Sequence, residues 1–307
     1  MNSVKSNAKN FRIPVSIKYF LIAMPFVIFT FMFSYVPLFG WIISFSNYKT
    51  GMTLSSIRLT GFGAFVSIWN QRADILRVVT NSLAISGLGL LTSPLSIVFA
   101  ILLNELRLKK FKRIVQTVTI FPNFISWIVV FGFAYTIFSS NGMMNNLLSQ
   151  LGFHTNPTGL IGDKNRVWLF QVGLQVWKGL GWGAIIYLAT IAGIDTELYE
   201  AAKADGAGRF RCIWHITLPG IIPTFFVLLV LGISNILNNG FDQYFVFNNP
   251  LVANKIEVLD LYTYKVGIQL NKMPFSVAIG MLKSFISIAL LFIANLGSKK
   301  VRGVSIY

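Results

Sequence analysis

The chain has 307 residues, of which 54% are hydrophobic and only 12% charged. A soluble domain carries about a quarter charged residues. Here the apolar residues also come in long blocks, which excludes a soluble globular fold. The formal charge of +16 would suit nucleic acid, but the basic residues gather at the ends of the apolar blocks and no soluble domain is left to carry a binding patch. The single cysteine, Cys212, excludes an intrachain disulfide and a cysteine-based metal site.

In chain order, a basic N-terminal segment, 1–18, carries Lys5, Lys9, Arg12 and Lys18. The first apolar run follows at about 19–46. A signal peptide would have an apolar core of roughly 7–15 residues and a small-residue cleavage site. This run is longer and bulkier, with Phe26, Phe29, Phe31 and Phe33, and reads as a retained anchor. Five more runs follow at about 78–104, 114–138, 167–193, 221–247 and 274–296. Each is near the roughly 20 residues that a helix needs to cross a bilayer core. The predicted fold class is therefore all-α: an integral membrane bundle of six transmembrane helices over 19–298, with a short tail at 299–307. Pro25, Pro37, Pro94 and Pro122 are expected to interrupt the first three spans. No repeat relates the two halves, which counts against the repeat-built secondary transporters.

Lysine and arginine sort the loops into two sides. One side holds the basic N-terminus, the 2–3 loop (Arg107, Lys109, Lys110, Lys112, Arg113), the 4–5 loop (Lys203, Arg209, Arg211) and the tail (Lys299, Lys300, Arg302). The other side has fewer basic residues on longer loops. Both termini and the 4–5 loop are therefore expected in the cytoplasm.

The 4–5 loop, 194–219, has its own local logic. Asp195 can cap a helix beginning at Thr196, and Glu197 and Glu200 suit its positive end. Leu198, Ala201, Ala202 and Ala204 are helix formers or small packing residues. Gly206 can turn the chain through positive φ, and Gly208 can relax it again. A second short turn fits Arg209 to His215, and Pro219 suits the start of the next membrane helix. Shape alone would also fit an amphipathic helix lying on the membrane.

The spelling is more specific: Glu200-Ala201-Ala202, then Gly206, Ile216, Leu218 and Pro219 at the spacing EAA-x3-G-x9-I-x-L-P. It resembles the EAA loop of permease subunits in binding-protein-dependent ABC importers. The likeness continues through Leu103 to Leu106, Val115 to Thr117, Phe121-Pro122, Phe124 to Trp127, Trp177 to Gly179, Gly181 to Gly183 and Asn238 to Gln243. These stretches look like the oligosaccharide and polysaccharide permeases related to the maltose-transporter membrane subunits. The likeness covers about 15–300, and Thr196 departs from it, since relatives often have Pro there.

The resemblance implies a transport subunit rather than an enzyme, importing an oligosaccharide or polysaccharide fragment by alternating access. Implied partners are a second homologous permease, a dimer of ATP-binding subunits and an extracellular solute-binding lipoprotein in a bacterial cell membrane. It makes Glu200 a polar contact to the ATPase, Ala201 and Ala202 a close-packing face, and Gly206 a hinge. The chain has no G-x-x-x-x-G-K-[ST] phosphate loop, so ATP and Mg are expected on the partner ATPase and no cofactor on this chain. Alternatives are a permease for a smaller polar solute, such as a sugar phosphate or peptide, and an ion-coupled secondary transporter. The second should show intramembrane carboxylates, and the spans as read contain only Asp242.

Polar side chains within spans mark a candidate solute path. In span 5, Asn235, Asn238, Asn239 and Asp242 fall at i, i+3, i+4 and i+7, one helical face, with Gln243 and Tyr244 just beyond. In span 4, Gln171, Gln175, Lys178 and Trp182 fall close to one face. Span 3 adds Asn123, Ser126 and Trp127, and span 6 adds Lys283. At helical rise, Lys178 lies roughly 16 Å, and Asn238 and Lys283 roughly 13 Å, from the outer ends of their spans. Amides and carboxylates match sugar hydroxyls, and aromatic rings match sugar faces. The competing use is interhelical glue, with Asn239-Gly240 breaking span 5. Lys178 and Lys283 are expected to pair with Asp242 or with carbonyls. An anionic glycan would suit two such lysines, although similar lysines occur in the resembled family without that specificity. Outside, 139–166, with a short helix from Met143 to Leu151, and 248–273 offer a docking face for a binding protein. His154 and His215 stand alone, so neither points to a metal.

Overall fold

The structure is a computed structural model, and it describes residues 14–153 and 159–302. Lys5, Lys9, Arg12, His154 and the last residues of the tail lie outside that range. The described residues form helices, with one isolated bridge between Ser46 and Leu59. Among the described residues, five stretches are long and apolar enough to cross a membrane, or six when a bent helix pair is taken as one span.

Proline sets most of the breaks. Helix α1, Val15–Thr30, runs into a π-helical turn at Phe31–Tyr35 and a 3₁₀ stretch at Val36–Phe45. Pro37 has no N–H to return to the carbonyl of Phe33, so the regular ladder cannot continue there. Phe26 and Phe29, 72% and 63% exposed, lie outside the core, and Phe29 packs on Phe33. After α2 (Gly63–Asn70), α3 (Arg72–Thr92) and α4 (Pro94–Glu105) make one span jointed at Pro94. The third predicted span, 114–138, is not one helix. It divides into α5 (Lys109–Ile120), a 3₁₀ turn at Phe121–Phe124 around Pro122, and α6 (Trp127–Phe138). Ser126 caps α6, accepting from Val129 N–H. Helix α7 (Met143–Gln150) follows close behind.

Helix α8, Val167–Ala192, occupies the predicted fourth span and is the axis of the bundle. It packs on α4 and α5 at closest approach through two glycines. A Cβ on Gly181 would sit 2.3 Å from the Thr119 carbonyl oxygen, and one on Gly183 2.8 Å from Ser96 Oγ. Gly179, grouped with them in the sequence, faces open space. Beyond Gly193 the chain bends by 69° into α9, Thr196–Ala204.

Span 5 starts earlier and ends earlier than 221–247. It runs through α10 (Arg209–Cys212), a π-helical turn at Ile213–Thr217 and α11 (Leu218–Ser234). The π turn precedes Pro219, which cannot donate to the carbonyl of His215. The helix stops at Asn235, and Gly240 takes φ +84°. Asn235, Asn238, Asn239 and Asp242 therefore do not share one helical face. The Asn-rich stretch bonds locally, with Asn235 Nδ2 donating to the Leu231 carbonyl, and such side chains compete with the helix ladder.

The segment at 248–273 also departs from expectation. After α12 (Asp242–Val246) it forms α13 (Ala253–Ile256), α14 (Leu259–Tyr264) and a π-helical turn at Lys265–Gln269. It is not a mere outer connection. Val252, Ile256, Val258 and Leu261 are fully buried against Ile85 of α3 and Val167 and Val172 of α8. A second cluster joins Val78, Leu259, Tyr262 and Phe275. A third joins Ile97, Ala100, Ala184, Tyr187 and Ile221, at the end of the bundle nearer α9. Helix α15, Met273–Arg302, closes the bundle against α11 and the 3₁₀ end of span 1.

Candidate functional site

The loop after α8 is built as a self-contained part. Asp195 Oδ1 accepts from Glu197 N–H at 2.9 Å, capping α9. At the other end Ala207 N–H donates to the Ala202 carbonyl at 2.8 Å and Gly206 N–H to the Lys203 carbonyl at 3.0 Å. This paired 6→1 and 5→2 closure is a Schellman motif, and it needs a residue with positive φ. Gly206 supplies it at φ +76°. Gly208 takes φ −73°, which any residue can adopt, so it is not the second flexible point expected.

Glu200 and Ala201 are exposed on α9, and Ala202 is half-buried. Ile216 and Leu218 are half-buried on the helical return, and Pro219 is exposed. Tyr199 Oη and Thr217 Oγ1 lie 2.9 Å apart and tie α9 to that return. A cavity of about 670 Å³ lies beneath the loop, lined by Asn104, Glu105, Tyr199, Glu200, Lys203 and Arg209 among others. It brings the 2–3 turn and α9 to one end of the bundle. Leu198, Phe210 and Trp214 are 53%, 89% and 68% exposed there. Sequence patterning gives them no exposed apolar role. Phe210 and Trp214, four apart among Arg209, Arg211 and His215, were the available signal.

The polar residues proposed for the solute path separate into three groups. The first is buried glue between α8 and the segment after α11. Gln175 Nε2 donates to Gln243 Oε1 and to Tyr244 Oη, and Gln243 Nε2 donates to Gln171 Oε1 at 2.7 Å and to its carbonyl. Asn239 Nδ2 donates to Ser86 Oγ and the Ser82 carbonyl, tying the break to α3.

The second group surrounds Lys178. Its ammonium donates to the carbonyls of Pro122, Asn123 and Ile125 at 3.0, 2.7 and 2.6 Å. It also lies 5.6 Å from the ring centroid of Trp127. These carbonyls lie where span 3 breaks, the Pro122 carbonyl also accepting from Ile125 N–H, so α8 bridges the gap between α5 and α6. Trp182, 49% exposed, meets Phe124 edge-on.

The third group lines a cavity of about 710 Å³ between the end of α11, α14 and α15. Asn238, Gly240, Phe241, Asp260, Tyr264 and Lys283 are among its walls. Asn235 and Asn238 are exposed and joined by a 2.9 Å hydrogen bond. Phe241, Phe245 and Tyr264 form an aromatic cluster, with Phe241 and Tyr264 centroids 4.6 Å apart. Lys283 pairs with Asp260, not with Asp242, which is exposed on the first turn of α12. Asp242 is also not the sole acid within the bundle. Asp260 and Glu257 come in with the folded-back segment, and Glu257 bonds Arg77 at 2.8 Å and Lys265 at 2.7 Å. Arg77 lies 180 residues from Glu257, while Lys265 and Lys283 lie 8 and 23 residues from their acids, and a count of charges within the spans misses both acids. No cluster of three or more metal-ligating side chains occurs among the described residues.

The chain is a jointed helical bundle with an exposed helix–glycine–helix loop bent away from its fourth span. Residues 93–303 match the family described as binding-protein-dependent transport system inner membrane component, and the chain belongs to that family. It is therefore an integral membrane permease component of the ABC type, not an enzyme. It is 36% identical over 283 residues to the protein LplB of Bacillus subtilis, covering 92% of this chain and 88% of LplB. It is 34% identical to the B. subtilis polygalacturonan/rhamnogalacturonan transport system permease protein YteP, covering 94% and 89%. A chain in the crystal structure of a bacterial transporter that imports the acidic polysaccharide alginate superposes with a TM-score of 0.82 at 32% identity, covering 94% of this chain and 98% of that one. A second structure of an alginate transporter, with an alginate pentasaccharide-bound periplasmic protein, gives 0.83 at 31% identity, covering 95% and 98%.

Proposed function

We propose that this chain is a membrane subunit of an ATP-driven importer that takes up an oligosaccharide or polysaccharide fragment across a bacterial cell membrane. The observation that carries this reading is the α9 loop. It is a capped, Schellman-closed helix on the bundle end, tied to the start of span 5 through Tyr199 and Thr217. A rigid part anchored to the bundle at both ends passes movement into the bundle. The chain's own motifs include no phosphate loop, so the force comes from a separate ATPase. Glu200, Ala201 and Ala202 offer it a small, polar-edged face, and Leu198 an apolar anchor. Gly206 fixes the loop's exit, and Ile216, Leu218 and Pro219 carry the movement into α11.

A second, similar permease completes the pathway, and two ATP-binding subunits dock on the two α9 loops. A solute-binding lipoprotein delivers solute from outside, onto α7 and the exposed rim of the folded-back segment. Both termini and α9 face the cytoplasm, as the basic residues sort. The saccharide class rests on relatives named for polygalacturonan, rhamnogalacturonan and arabinooligosaccharide transport, and on the alginate transporter structures. Asn235 and Asn238 are the exposed amides of the path. Gln171, Gln175, Gln243 and Asn239 hold the helices around it, and Lys178 holds the break in span 3.

The test is uptake of labelled saccharides into proteoliposomes holding the complete transporter. Uptake requires internal ATP and the external binding protein. Uptake driven by an ion gradient without ATP would refute the reading.

A further inference from the structure

We propose that the saccharide contacted by this chain is uncharged, and that Asp260 sets this selectivity by neutralising Lys283 in the wall of the solute cavity. The inference rests on the importer reading above and adds the charge class of its cargo. The alginate transporter and the polygalacturonan/rhamnogalacturonan permease that this chain resembles are named for acidic glycans, so the proposal expects a cargo unlike theirs.

A polyanionic glycan needs free cations or aimed N–H donors along its path, because a carboxylate taken out of water without a partner is heavily disfavoured. Lys283 is the lysine in the cavity wall, and it is taken by Asp260 Oδ1. Lys178, held by three backbone carbonyls, and Arg77 and Lys265, which share Glu257, are not among the lining residues. Lys272 is exposed at the outer end of span 6, eleven residues and roughly 16 Å along the helix from Lys283.

Asp260 is not free to move aside for a uronate. Its second oxygen, Oδ2, accepts from Gly240 N–H at 3.0 Å, at the backbone break after α11. A ligand carboxylate would compete with one that is already in place and doubly bonded. Of the stretch 235–246, Asn238, Gly240 and Phe241 line the cavity, and its one charge, Asp242, is exposed and of the sign that repels an acid. The rest of the wall suits neutral sugar: the Asn238 amide and the Thr263 and Ser276 hydroxyls, which donate within the chain and keep acceptor oxygens, and the faces of Phe241 and Tyr264.

The charge of the cavity can be read without knowing the sugar. A Cβ on Gly280, in the cavity wall and three residues from Lys283, meets nothing within 4 Å. The test places Gly280→Cys in a Cys212→Ser chain within the assembled transporter. The thiol is then modified with anionic (ethylsulfonate) and cationic (ethyltrimethylammonium) methanethiosulfonates. The expected anion-to-cation rate ratio lies within about threefold of that of a free thiol, and adding Asp260→Asn raises it at least about tenfold. A ratio already tenfold above the free thiol with Asp260 intact overturns the proposal. So does a thiol that neither reagent reaches, or an Asp260→Asn transporter, intact by size exclusion, with an unchanged ratio. The first reading stands without the Asp260 variant, should that variant fail to assemble.

A parallel uptake panel pairs neutral and uronate-bearing pentasaccharides of matched linkage. Uptake from the neutral half supports the proposal, and uptake from the uronate half overturns it. ATP-driven uptake of neither, with the rate ratios as expected, overturns the importer reading on which the cargo rests.

Discussion

Lys178→Met separates a structural cation from a solute contact. The ammonium satisfies three carbonyls at the break in span 3, at 3.0, 2.7 and 2.6 Å. Hydrogen bonds inside membrane bundles contribute about 1 kcal/mol each, so the substitution forfeits about 3 kcal/mol. Releasing a half-buried ammonium from its desolvation returns about 1 kcal/mol, leaving a net loss of about 2 kcal/mol. On the size scaling of unfolding entropy this lowers Tm by roughly 4 °C. The assay is thermal unfolding of the purified transporter in detergent, alongside initial uptake rates across a range of solute concentrations. The expected outcome is a lower Tm and a lower maximal rate with an unchanged apparent KM. An unchanged Tm with a raised KM would refute the reasoning and return Lys178 to the solute path.

Gly206→Val forces a β-branched residue to φ +76°, costing about 2 kcal/mol locally and opening the Schellman closure of α9. Membrane insertion, read by protease accessibility, stays normal while uptake falls at least about tenfold; wild-type uptake would exclude a coupling role for the loop. Gln243→Leu removes the donor to the carbonyl and Oε1 of Gln171 and the acceptor for Gln175, all in the interior. It should destabilise by about 2 kcal/mol and leave KM alone, measured by the same unfolding and uptake assays. Asn238→Leu changes an exposed amide, so complex assembly on size exclusion should be normal while KM rises by about tenfold. Unchanged uptake across a saccharide panel would make Asn238 part of the scaffold.

The sequence made the bundle and the α9 loop legible for physical reasons. Lipid demands long apolar runs, so spans 1, 2, 4 and 6 stand out. The cap at Asp195 and the stop at Gly206 are local signals, and the backbone there follows them. Span 5 misled because helical spacing was carried through Asn235 to Asp242, where asparagines and Gly240 end the helix. Span 3 was marked as interrupted at Pro122, yet nothing local says that Lys178, 56 residues later, fills the break. The segment at 248–273 looked external because its Lys and Glu residues make it less apolar than a span. Its ion pairs with Arg77 and Lys283 tie it to α3 and α15, and Lys265 meets Glu257 within the segment itself. Long-range pairing of this kind leaves no periodic trace.

Force transfer through α9 is tested most directly at Leu198, which is 53% exposed on that helix. A photoreactive benzoylphenylalanine at position 198, irradiated in membranes that contain the whole transporter, should join this chain to the ATP-binding subunit. The yield should change between the ATP-bound and nucleotide-free states. A crosslink to lipid or to the permease partner alone, with no adduct to the ATPase in either state, would contradict the coupling role of the loop.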